Sequence, residues 1–229
     1  MKKNQSGLFI AGMLAVFLIF LAHFSCTSKS ENNIPKDYQG KVFQDEKYNA
    51  GPQLIPGKVE CKYFDLGGEG IAFHDKDTIN RGSGKYNYQD GHCEGVADYV
   101  CHFREEEGVD LSFTKDFLDF DHPNPFEPEV GQGFIGWTKD GEWCNYTVEV
   151  SEAGTYQVGI LYSNDPVPFR LLVNGELAGE YKLPRKTDNY HTWDYGKKLG
   201  TITFEKAGLN LLTLEYSGGA NYAYLEFYQ

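Results

Sequence analysis

Positive charge is scarce in this sequence. Its 229 residues hold 21 Lys and Arg against 33 Asp and Glu, a formal net charge of -12 at pH 7. Neutralising a phosphate backbone takes clustered Lys and Arg, and the chain has no basic run, which argues against a nucleic-acid partner and against anionic membrane surfaces. Catalytic signatures are missing as well. There is no His-x-x-x-His or Cys-x-x-Cys metal spacing, no Gly-x-Ser-x-Gly elbow and no Gly-x-x-x-x-Gly-Lys phosphate loop. Asp116, Asp119 and Asp121 lack the turn glycine and distal Glu of an EF-hand, so they read as a solvated loop ending at Pro123-Asn124-Pro125. Asp140 and Glu142, beside Trp137, are separated by one turn residue and do not bracket a substrate as a glycosidase pair must. An enzyme is therefore the weakest of three readings, and the expectation is a non-enzyme.

Long apolar runs are absent too. The longest, Leu8 to Ala22, spans 15 residues, below the roughly 18 of a spanning helix. Preceded by Lys2 and Lys3, it fits a secretory signal. It ends at His23-Phe24-Ser25-Cys26, where a small residue before Cys resembles the processing site of bacterial lipoproteins. The expectation is a signal peptide over 1-26 with lipidated Cys26, exported and anchored at the outer surface or in the periplasm. An uncleaved anchor or a soluble secreted protein is the alternative. Thr27 to Gln53 is rich in Ser, Asn, Lys and Gln without apolar periodicity and reads as a flexible tether. One domain follows, over 54-229.

What the chain does have is rings, at 15% aromatic residues, and a period of two. Glu142 to Val150 sets Cys144, Tyr146, Val148 and Val150 on one face of a strand. After Gly154, Tyr156, Val158, Ile160 and Tyr162 repeat the pattern. Asn174-Gly175 between two apolar runs is the strongest hairpin signal, since both residues tolerate positive φ. Lys206-Ala207-Gly208 separates a further pair, and a last strand covers about Tyr222 to Tyr228. Short strands with turn signals every 8 to 12 residues or so predict an all-β antiparallel sandwich. Cys61, Cys93, Cys101 and Cys144 lie beyond Cys26; export permits disulfides, but four Cys allow three pairings, and Cys61 and Cys144 read equally well as buried thiols.

Several blocks resemble a family 6 carbohydrate-binding module. They are Gly57-Lys58-Val59-Glu60-Cys61 to Asp65, Glu69 to Asp75, Gly108 to Leu111, Ile135 to Val148 with Ala153 to Tyr156, Tyr190-His191-Thr192-Trp193, and Asn221 to Phe227, in the family's order. The resemblance runs from Pro56 to the C-terminus, interrupted by an insertion at about 87-106. It implies a jelly roll like that of galactose-binding domains. The implied function is non-catalytic binding of a polysaccharide or oligosaccharide, near polysaccharide-degrading enzymes. Position by position, Trp137 and Tyr190 take the places of the two aromatic platforms and Asn221 that of the amide between them. His74 and Glu69 are further candidates at the rim. The chemistry agrees: a pyranose offers an apolar C-H face to a ring and a rim of hydroxyls to an amide. Trp143 and Trp193, inside strand runs, read as core.

Members of that family usually hold a structural calcium between acids on the first strand and a ligand on the last. Here Lys62 and Ala223 stand at those positions, which predicts that the metal is lost and that Lys62 pairs with Glu60. The insertion carries Tyr88, His92, Cys93, Tyr99, Cys101 and Phe103 and reads as a flap or hairpin beside the binding loops. A Cys93 to Cys101 bridge would pin it if their Cα atoms lie within about 7 Å. The competing functional reading is a lipid-anchored structural or adhesion sandwich that binds a protein through the same aromatic loops.

Overall fold

The alternating runs become strands of two sheets. A computed structural model describes residues 30-45, 51-89, 93-94, 98-114 and 123-229. In chain order these hold β1 (Gln53–Ile55), β2 (Gly57–Glu60), β3 (Phe73–His74), the short helix α1 (Asp98–Cys101), β4 (Leu111–Phe113), β5 (Gly133–Ile135) and β6 (Glu142–Val150). Then follow β7 (Gly154–Asn164), β8 (Pro168–Val173), β9 (Glu176–Lys182), β10 (Trp193–Phe204), β11 (Gly208–Tyr216) and β12 (Ala220–Tyr228). One sheet runs β1-β6-β11-β8-β9, with β3 also on β6; the other runs β10-β7-β12-β5-β4, with β2 also on β12. The all-β sandwich is antiparallel apart from β1, which pairs with β6 in parallel.

The core lies between the sheets. Tyr146, Val148 and Val150 of β6 meet Tyr156, Val158, Ile160 and Tyr162 of β7 in one buried cluster, as the period of two requires. Each such side chain contributes about 2 kcal/mol on leaving water. The Asn174-Gly175 turn closes β8 on β9 with φ values of 53° and 88°. A smaller apolar cluster of Phe134, Leu161, Trp193, Ala223 and Tyr224 sits on the outer side of the second sheet. Residues 123-126 cover it: Asn124 Oδ1 accepts the Trp193 N–H at 2.7 Å, and the Phe126 ring lies 5.4 Å from Tyr195. Trp193 is buried as expected, whereas Trp143 is half-buried.

Other expectations need correction. Residues 30-45 lie on the sandwich rather than trailing as a tether. Phe43 is buried, its ring stacked 5.2 Å from Tyr63, the Tyr38 hydroxyl donates to Asp65 Oδ2 at 2.7 Å, and the Leu209 N–H donates to the Glu31 carbonyl at 2.7 Å. One buried ring in a polar segment suffices to dock it, and such a singlet carries no periodicity. Cys26 and the segments 1-29, 46-50 and 115-122, with Asp116, Asp119 and Asp121, lie outside the described residues.

The Glu60–Lys62 pair does not form either. Glu60 Oε2 accepts the Gln132 side-chain amide at 2.5 Å, while Lys62 Nζ lies 4.8 Å from the centre of the Tyr63 ring. Burial raises the Glu60 pKa, against the Gln132 hydrogen bond and the nearby Lys62 charge. Residues 61-63 form a 3-10 turn, so Lys62 leaves the strand direction that would have aimed it at Glu60. The calcium implied by the resemblance does not fit this donor set, because Lys62 and Ala223 bring no ligand and Gln132 occupies the Glu60 carboxylate.

The described part of the insertion contains the helical turn α1, and Cys93 and Cys101 are bridged with a Cα separation of 5.7 Å. Cys61 and Cys144 are buried free thiols, both pushed to higher pKa by burial.

Candidate functional site

Three loops meet where β7 ends and β10 and β12 begin. The first, 136-141, bears Trp137 at φ 48°, a left-handed conformation that a bulky residue seldom adopts without support. Support comes from Thr138 Oγ1 donating to the Ala220 carbonyl at 2.8 Å, and from Glu142 Oε2 accepting the Lys139 N–H at 2.7 Å. The second loop, 187-192, is wound by its own side chains: Asn189 Oδ1 accepts the His191 N–H at 2.7 Å, and Thr187 Oγ1 accepts the Asn164 N–H at 2.6 Å. The third turns at Gly219, φ 97°, whose carbonyl accepts Asn164 Nδ2 at 2.7 Å.

Between these loops lies a cavity of about 370 Å³, and Trp137, Tyr190 and Asn221 all line it. The two rings are held open to solvent, Trp137 at 38% and Tyr190 at 50% exposure. Asn221 is nearly sealed, and its amide does two things. Nδ2 donates to Ser163 Oγ at 3.1 Å and to the Tyr190 carbonyl at 3.0 Å, and Ser163 Oγ donates to that same carbonyl at 2.7 Å. The amide nitrogen is thus turned toward the Tyr190 loop and pins it, leaving Oδ1 as the group that can accept from a ligand. A Cβ at Gly136 would stand 3.0 Å from that Oδ1, so glycine there keeps the approach open.

The remaining lining residues are Phe134, Ser112, Thr138, His191, Gly219 and Tyr86, with no Lys, Arg, Asp or Glu among them. A ligand of this cavity meets ring faces and the hydrogen-bonding groups of Ser112, Thr138, His191 and Asn221. Carboxylates lie behind the Trp137 loop instead. Lys139 Nζ and Arg81 bind Asp77 at 2.6 and 2.9 Å and hold it down at about 2. Burial pushes Asp110 up to about 7 and Asp75 to about 6. The Asp110 carbonyl accepts the Gly136 N–H at 2.9 Å, so this cluster buttresses the loop from below.

Glu69 and His74 lie outside this cavity. Glu69 Oε1 is 2.5 Å from His74 Nδ1, Oε2 accepts the Asp75 N–H at 3.0 Å, and the imidazole sits 6.4 Å from the ring of Trp143, its cross-strand partner on β6. The family resemblance reached Trp137, Tyr190 and Asn221, and Thr138, His191 and Gly219 lay in the same stretches with no role assigned. Tyr86, Ser112 and Phe134 arrive through long-range packing, and no local signal marks them.

No family model and no curated protein matches the chain. Solved structures do. A family 6 carbohydrate-binding module from Clostridium stercorarium in complex with cellobiose is 11% identical, with 78% of this chain and 98% of that one covered and a TM-score of 0.47. A β-1,3-glucan-binding module of the same family from Bacillus halodurans is 14% identical over 77% of this chain and 98% of its own, at a TM-score of 0.44. The C-terminal family 6 module of a laminarinase from Zobellia galactanivorans is 18% identical over 42% and 80%, at 0.37. At such identities and overlays the functional reading rests on the cavity itself.

Proposed function

We propose that this protein binds a neutral polysaccharide or oligosaccharide, stacking sugar rings on Trp137 and Tyr190 while Asn221 Oδ1 accepts a hydroxyl between them. One observation carries the reading: two exposed rings and a nearly sealed amide line one uncharged cavity of about 370 Å³. An aromatic face fits the apolar side of a pyranose, and each stacked ring adds about 1 kcal/mol beyond its area. An acidic glycan would find no Lys or Arg among the lining residues. The sequence start supports an exported protein anchored through lipid on Cys26, at the outer surface or in the periplasm.

The test is retardation of the purified protein in gels containing soluble glucans, xylan or galactan. Trp137→Ala and Tyr190→Ala are each expected to weaken binding about fivefold with unchanged thermal midpoints. If no neutral glycan retards the wild-type protein, the reading is overturned and the protein-binding alternative takes its place.

A further inference from the structure

The inserted segment opens at the cavity. Tyr86, just before it, lines the same space, and its ring meets that of Trp137 at 5.5 Å and 60°. Two rings at that angle make a corner, so a sugar lying on the indole meets the second ring at its rim. The backbone of the corner is tied down by the Tyr86 N–H donating to the Arg81 carbonyl at 2.7 Å and the Asn87 N–H to Gly82 at 2.9 Å. Asn87 is buried and extends the tie: its Oδ1 accepts Ser112 Oγ at 2.9 Å, on the cavity wall, and its Nδ2 donates to the Cys101 carbonyl at 3.0 Å. Cys101 is bridged to Cys93. An unbroken path of covalent and hydrogen bonds therefore joins a cavity residue to the disulfide.

We propose that Tyr86 is a third aromatic contact of the ligand site, and that the Cys93–Cys101 bridge positions it through Asn87. This rests on the glycan reading. Isothermal titration with cellotriose, laminaritriose and xylotriose separates the two. Tyr86→Ala is expected to weaken binding of the preferred trisaccharide about fivefold, and Tyr86→Phe by less than about twofold. Tyr88→Ala, at an exposed ring bonded to His102 outside the cavity, is expected to change nothing. Should Tyr86→Ala fold poorly, Tyr86→Leu keeps apolar volume without the ring and serves equally.

Dithiothreitol supplies the two electrons and two protons that convert the bridge to two thiols, becoming a cyclic disulfide itself. Reduction is expected to weaken wild-type binding and to leave Tyr86→Ala unaffected, because the bridge acts through a ring already removed. Equal loss in both proteins, or loss in neither, overturns the role of the bridge. Wild-type binding that Tyr86→Ala and Tyr86→Leu leave unchanged overturns the contact while the glycan reading stands. Absence of wild-type binding to all three sugars overturns both.

Discussion

Glu60 illustrates how far a partner can lie from where the sequence points. Lys58 and Lys62 each stand two residues from it, but the hydrogen bond comes from Gln132, 72 residues away. Gln132→Leu is expected to destabilise the fold by about 2 kcal/mol, since a half-buried carboxylate loses its donor, whereas Lys62→Met removes a charge that is not bonded to Glu60 and should lose less than about 1 kcal/mol. Urea denaturation of the two variants compares these directly. The candidate site was more legible. Trp137, Tyr190 and Asn221 each stand next to a turn whose Gly, Asn or Asp residues announce a loop, so an aromatic there signals exposure. What those turns could not show is that the Asn221 amide nitrogen holds Ser163 and the Tyr190 carbonyl while its oxygen is left to accept. That double use gives Asn221→Ala two expected effects: weaker glycan binding and a loosened 187-192 loop, seen as faster amide exchange there.

Elements with a strong period were readable almost to the residue. β6 covers Glu142–Val150, the span that the alternation of Cys144, Tyr146, Val148 and Val150 defines, and the Asn174-Gly175 hairpin closes where its dihedral tolerance requires. Gly175→Ala should cost about 1 kcal/mol by thermal denaturation, because φ of 88° strains any residue with a Cβ. Segments without periodicity were not readable. Residues 30-45 look soluble and unstructured by composition, but Phe43 inserts between Tyr63 and Phe103, with Arg104 over its ring. Phe43→Ala is expected to lower stability by about 3 kcal/mol in denaturant titrations, as loss of a buried ring does; a value within about 0.5 kcal/mol of wild type would show the segment undocked.

At the level of the whole molecule, the acid surplus is not spread evenly, and its buried part sets a pH dependence. Asp110, raised to about 7, and Asp75, raised to about 6, both exceed their unfolded values near 4. Between those limits the native state holds more protons than the unfolded state, so stability is fully present below about pH 4 and falls as pH rises toward 7. Asp77, held at about 2, has the opposite sign and its contribution is lost only below about pH 4. Wild-type stability should therefore rise on acidification from pH 8 to about 4.5, and Asp110→Asn should flatten that rise, which melting temperatures across the range will reveal. Glycan binding, with no ion pair in the cavity, should hardly respond to salt.

In the lipid-anchored arrangement proposed above, the docked stretch after residue 29 also sets which way the protein faces. Glu31 bonds to Leu209 beside the β10-β11 turn, where β7 begins, whereas the cavity opens where β7 ends. With β7 eleven residues long, these two poles stand about 30 Å apart. In that arrangement, Cys26 lies four residues from Ser30, a leash of at most about 14 Å. A module moored so closely by its base would hold its cavity outward, clear of the bilayer, and could reach only glycans that come to the surface.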